Sequence, residues 1–222
     1  MKIAYVCAEN IILSFLYLTY IIIGVTTLVS LYAFQSPGFL SASMMNPYAI
    51  HHKQQYYRFL SSGFIHRDHI HLLWNMFSFY FFGTAIEREF NGLFGAAGGL
   101  YFIALYLLAI IVSDLPTYFK HKENVGYNSL GASGGVSAVI FAYIIFDPLS
   151  HICIYIALCM PGFILGALYI IFSWYQGRKS NDNINHDAHL YGALFGFVFC
   201  VIVAPSSIGN FVEQIKNWRI LE

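Results

Sequence analysis

Long uncharged runs set the pattern of this chain. Residues 11–34 contain no Asp, Glu, Lys, Arg or His, and neither do residues 93–113, 124–146 and 152–177. Residues 188–212 form another, marked only by His189, and residues 72–86, extended back to position 69, form a shorter one, so that in chain order the six runs start at 11, 69, 93, 124, 152 and 188. A helix that crosses a bilayer needs about 20 mostly apolar residues. The pattern therefore predicts six membrane-spanning helices. Turn and stop signals fall between the runs. Glu87, Arg88, Glu89 and Asn91-Gly92 follow the second, Asp114 and Pro116 the third, and Asp147-Pro148 the fourth. The first residues of 124–146 are Gly- and Asn-rich and read as loop. Pro161-Gly162 inside the fifth run predicts a kink.

This division gives a short tail at 1–10, a membrane domain at 11–206, and a C-terminal tail at 207–222. The start has no basic region leading to a small-residue cleavage site, so the first run reads as a retained helix. In the last segment Ile208, Phe211, Val212, Ile215 and Trp218 recur at helical spacing opposite Glu213, Lys216 and Arg219, which suits a helix lying in the interface. Residues 35–68 are long, aromatic and weakly basic, a composition for a loop at the headgroup level.

Composition sharpens the class. Charged residues are 10% and hydrophobic ones 58%, with mean hydropathy +0.62. A soluble domain carries about 25% charged residues, so a solvated surface is excluded. The formal net charge is zero, which argues against nucleic acid as a partner. Cys7, Cys153, Cys159 and Cys200 lie in apolar surroundings with no metal-ligand spacing, and read as free thiols packed as small hydrophobes. Counting Lys and Arg by loop would place the termini outside the cytoplasm.

Polar groups inside spans are costly and are functional candidates by default. Gly131-Ala132-Ser133-Gly134-Gly135 lies where a polar loop becomes a span. Its serine has an ordinary reading as a helix cap. The flanking glycines also leave backbone N–H groups free at a helix start, where a developing oxyanion can be held. His189 follows Ala188 and precedes Gly192 and Gly196, and Gly134, Ala138 and Ala142 repeat at the same spacing. Small residues every four positions let helices pack with close backbones. If the two faces meet, Ser133 and His189 lie at one depth, and the imidazole can take the serine proton. His71 and Asn75, four apart, share a helix face, and both can donate hydrogen bonds. His66, His69 and His71 do not fall on one face, and HExxH is absent, so no metal site is expected there.

Together these residues resemble the rhomboid intramembrane proteases. That family shows HxxxxHxxxN, then GxSG, then AHxxG, and this chain has His66-x4-His71-x3-Asn75, Gly131-Ala132-Ser133-Gly134 and Ala188-His189-x2-Gly192 in that order. Tyr57-Arg58 stands where the family commonly has Trp-Arg. The resemblance covers roughly residues 46–196. It implies an all-α membrane protein, a six-transmembrane-helix rhomboid-like bundle of the basic prokaryotic form. It implies a serine endopeptidase acting through a Ser133–His189 dyad, with the Ser133 N–H, His71 and Asn75 holding the oxyanion. The expected partners are the lipid bilayer and transmembrane protein substrates, with no cofactor, metal or nucleic acid. Substrates would enter between spans two and five, near Trp74 and Trp174. The implied place is the cell (inner) membrane, multi-pass, with cytoplasmic termini, against the charge count. The alternatives are a catalytically inactive relative that binds membrane proteins, and a small transporter. Loss of Ser133 or His189 would have signalled the first, and ionisable groups in mid-span the second.

Overall fold

The computed structural model describes residues 18–154, 158–179 and 184–218. The expected tail 1–10 and positions 11–17 of the first run lie outside these residues. In chain order the helices are α1 (Leu18–Gln35), α2 (Pro37–Ser43), α3 (Pro47–Lys53), α4 (Arg58–Ser61), α5 (His69–Phe94), α6 (Gly98–His121), α7 (Ser133–Phe146), α8 (Gly162–Lys179), α9 (His186–Val203) and α10 (Ser206–Asn217). The all-α class expected from the run pattern is present. By length and apolarity, Leu18–Gln35, the nearly continuous His69–His121 and His186–Val203 suffice to cross a bilayer, whereas Ser133–Phe146 is apolar but shorter. Six separate crossings stay an expectation.

The packing is that of a bundle whose solvent is lipid. On α1 the buried residues are Thr19, Thr26, Ser30 and Ala33, while Leu28 is 70% exposed and Tyr32 is exposed too. Between apolar surroundings and an apolar core there is little hydrophobic gain, so small and hydroxylated residues turn inward and allow close contact. Helix α7 is the opposite case: nearly every residue from Gly134 to Ile145 is buried. It is packed by α5, α6, α8 and α9, and so forms the centre. The Glu87 carboxylate near the end of α5 is buried and accepts from the backbone N–H of Leu18 and Thr19 at 2.6 and 2.9 Å and from Thr19 Oγ1 at 2.7 Å. Three donors offset the desolvation of that charge and fasten α1 to α5.

Residues 35–68 form helices rather than an irregular loop. Pro37 and Pro47 begin α2 and α3, where a missing N–H costs nothing. Arg58 is buried and donates to the carbonyls of Ser41 and Met44 at 2.9 and 2.8 Å and to Gln55 Oε1 at 2.7 Å. This one guanidinium therefore gathers three turns of the segment.

Three expectations are overturned in the fifth run. Residues 151–154 and 158–161 are not turns of a helix. They form a hairpin, β1 (His151–Ile154) against β2 (Leu158–Pro161), with Cys153 opposite Cys159. Helix α8 starts at Gly162, so Pro161-Gly162 is a boundary and not a kink. A short continuous apolar run has no period that separates strand from buried helix, which is why the run misleads. Cys153 and Cys159 are joined in a disulfide, contrary to the expectation of four free thiols. The apolar context hid the pairing, because strand register sets it and the sequence read as helix carries no register. Cys200 is free and buried, as expected, and Cys7 lies outside the described residues.

Candidate active site

Ser133 is the first residue of α7, so its backbone N–H is among those with no acceptor inside the helix. The loop before it is held from two sides. Met45 and Ser129 exchange backbone hydrogen bonds of 3.0 Å, and Gly131 N–H donates to Ser62 O at 2.9 Å. Gly131 has φ +121, where a side chain is strained, and a Cβ there would lie 2.7 Å from His71 Cε1 and 2.9 Å from Nε2. Glycine thus lets the His71 imidazole lie directly on the backbone two residues before Ser133.

Helix α9 brings His189. It meets α7 along the small residues: a Cβ on Gly192 would strike the Gly134 carbonyl, one on Gly196 the Ala138 carbonyl, and one on Gly134 would lie 3.6 Å from Ala188 O. The two faces expected to meet are in contact. Gly134, which follows Ser133, packs near Ala188, which precedes His189. Ser133 and His189 are partly exposed between buried neighbours, and His71 is partly exposed as well. The His189 ring stacks on Tyr169 at 6.4 Å between centroids. Asn75 is buried, and its Nδ2 donates to His71 O at 2.9 Å, so one of its two amide hydrogens is committed within α5.

Two parts of the site went unseen in the sequence. The first is His66, which stands in the motif without an assigned partner. Its ring is fully buried, 5.0 Å from that of His71. Its Nε2 accepts from Ala132 N–H at 3.4 Å, so its Nδ1 must carry the proton and donate to Ser30 Oγ at 2.9 Å, which in turn donates to Phe64 O at 3.0 Å. The relay needs a neutral ring. Burial, with the neighbouring His71 second, pushes the His66 pKa down to about 3, with Asp68 opposing. Asp68 itself caps α5 by accepting from His71 N–H at 2.7 Å.

The other unseen part is Asn185, which caps α9. Its Oδ1 accepts from Ala188 N–H at 3.1 Å and from Thr117 Oγ1 at 2.9 Å, and its Nδ2 donates to Asp114 Oδ1 at 3.2 Å and Ser129 Oγ at 3.4 Å. One amide thus ties α6, the loop before Ser133 and the helix carrying His189. A cap-forming Asn ahead of an apolar helix was the available signal. Asp187 pairs with Lys120 at 3.3 Å.

A family model described as the Rhomboid domain matches residues 53–206. The chain is 31% identical over 144 residues to RHOMBOID-like protein 12, mitochondrial, of Arabidopsis thaliana, covering 60% of this chain and 42% of that protein. It is 25% identical over 148 residues to rhomboid protease GlpG of Haemophilus influenzae, covering 64% and 67%. Rhomboid-like protein 11, chloroplastic, of Arabidopsis thaliana is 27% identical over 182 residues, covering 77% and 60%. The chain thus spans less than half of the mitochondrial relative. The helical bundle, the three motifs in order and a domain match across most of the chain agree: this protein belongs to the rhomboid family.

Proposed function

We propose that the chain is an intramembrane serine endopeptidase that cleaves transmembrane or juxtamembrane segments of other membrane proteins. The observation that carries this reading is the close packing of α7 on α9 at Gly134, Ala188 and Gly192, residues that neighbour Ser133 and His189 in the chain. Family membership supports it, as does the similarity to a Haemophilus protein named as a protease.

Ser133 Oγ attacks the carbonyl carbon of the scissile bond while His189 takes its proton. The oxyanion faces the Ser133 N–H at the positive end of α7, with His71 and Asn75 as side-chain donors. As the C–N bond breaks, His189 returns the proton to the leaving amine. A water then attacks the acyl-enzyme by the same two transfers and releases the acid. Asp187 pairs with Lys120, and the proposed dyad gives it no chemical role. Helix α7 has 14 residues, roughly 21 Å at 1.5 Å each. The hydrocarbon core is about 30 Å thick. A helix that reaches one interface at Phe146 therefore starts several ångströms below the other, and water must reach Ser133 through a cavity open to that face.

The test is cleavage of a single-span substrate in liposomes by wild type, Ser133→Ala and His189→Ala. Wild-type cutting abolished by both substitutions, with unchanged thermal midpoints, is the expected result. Cutting that survives Ser133→Ala refutes the mechanism. Absence of cutting by wild type across several substrates would favour an inactive binding relative.

A further inference from the structure

The face that carries the start of α7 also holds a cluster that the proteolytic reading does not use. His51 and His52 end α3, and Glu123 lies in the loop after α6, 71 positions from His52. His52 Nε2 stands 3.2 Å from Glu123 Oε2, and His51 Nε2 3.8 Å from Glu123 Oε1. One ligand atom from each of the three residues lies within 4.8 Å of the others. A tetrahedral zinc ion bonded at about 2.0–2.2 Å holds its ligand atoms roughly 3.3 Å apart. The cluster is therefore close to a closed ligand set, and small rotations of exposed side chains complete it.

The surroundings orient the rings. His51 Nδ1 lies 3.1 Å from Tyr118 Oη, and an Nδ1–H donated there leaves the Nε2 lone pair toward Glu123. The His52 ring packs on Tyr48 with centroids 4.3 Å apart. Two imidazoles and one carboxylate form a borderline-soft set that suits zinc and not magnesium or calcium.

We propose that His51, His52 and Glu123 bind one zinc-class divalent ion, with water in the fourth position. The ion joins α3 to the loop after α6. That seam already holds Asn46 donating to Tyr127 O at 3.3 Å and the Met45–Ser129 bridge, and it leads directly to Ser133. Zinc bound here is a clasp on the loop that precedes Ser133, and it takes no part in the proteolytic step. The inference stands apart from the protease reading, since it needs no activity to be observed.

The experiment titrates zinc chloride into the purified full chain in detergent against a chromogenic chelator, and in parallel reads the thermal midpoint. The expected result is one zinc per chain with micromolar affinity and a raised midpoint, with no such rise from magnesium chloride. His52→Ala and Glu123→Gln should each weaken binding at least tenfold and abolish the rise. Their zinc-free midpoints should match wild type, because the altered side chains are exposed. His151→Ala, an exposed histidine on β1, should behave as wild type. No binding at 100-fold excess over a micromolar constant overturns the proposal. Zinc binding unchanged in both His52→Ala and Glu123→Gln also overturns it, by placing the ion elsewhere.

Discussion

At the scale of single residues, the site depends on side chains that hold the backbone before Ser133 as much as on Ser133 itself. His66 is the clearest case. Its folded pKa of about 3 lies below its ordinary 6.5, so the unfolded chain takes up the proton first as pH falls. Its contribution is whole above pH 6.5 and drains away between there and pH 3. At pH 4.5 the loss from this residue approaches about 2–3 kcal/mol, at about 1.4 kcal/mol per unit. Thermal midpoints at pH 7 and 4.5 should show a smaller acid-induced drop in His66→Ala than in wild type. That variant should also be less stable at pH 7 by about 1–3 kcal/mol, because Ala132 N–H loses its acceptor. An equal acid-induced drop in both proteins would reject the neutral relay. His71, Ser133 and His189 could be nominated from the sequence because each lies in a short pattern with a chemical reason. The partnership of His66 with Ala132 spans 66 positions and leaves no local trace. Asn185 likewise gathers Thr117 and Asp114 across the bundle, and only its capping half is written locally.

At the scale of elements, the contact of α7 with α9 is the joint on which the proposed chemistry turns. Gly192→Val places a side chain against the Gly134 carbonyl, and over-packing of this kind costs about 1–3 kcal/mol or forces the helices apart. Displacement of His189 by about 1 Å should lower cleavage on the order of 100-fold. Gly209→Val on α10, where an added Cβ meets nothing within 4 Å, serves as the control, with cleavage unchanged. Equal cleavage by Gly192→Val and wild type would mean that the joint does not set the geometry. This packing was readable in advance, since small residues at four-residue spacing carry their own physical meaning. The hairpin was not, because its register arises only once both strands are formed. The capped start of α9 completes the element. Asn185→Ala should cost about 1–2 kcal/mol, read as a lowered thermal midpoint, and should lower cleavage at unchanged substrate concentration more than a comparably destabilising substitution on α10 does.

At the scale of the whole molecule, the two ends of the bundle are chemically different, and the disulfide makes their sidedness measurable. With six crossings, the face of Ser133 would carry Lys53, Arg58, Arg67, Lys120, Lys122, Arg178 and Lys179, and the opposite one Arg88, Lys216 and the Cys153–Cys159 pair. Charge counting sends the first face to the cytoplasm, whereas the family resemblance sends the second there together with the termini. Glutathione keeps cytoplasmic thiols reduced. With cytoplasmic termini, Cys153 and Cys159 should therefore be thiols in growing cells and pair only on oxidation. Both residues are exposed in the folded chain, and Cys200 is buried. In a Cys7→Ser background, a membrane-impermeant maleimide should label the pair only after the cells are opened, without any reductant. Labelling that requires both reductant and no permeabilisation would reverse the orientation and vindicate the charge count. The loop closed by the pair is short, and its removal costs about 2 kcal/mol by loop entropy. The hairpin follows the end of α7 opposite Ser133, so Cys153→Ser should lower the oxidised protein's thermal midpoint while leaving cleavage intact. A loss of cleavage in that variant would mean that the far end of α8 or α7 communicates with Ser133 through the body of the bundle.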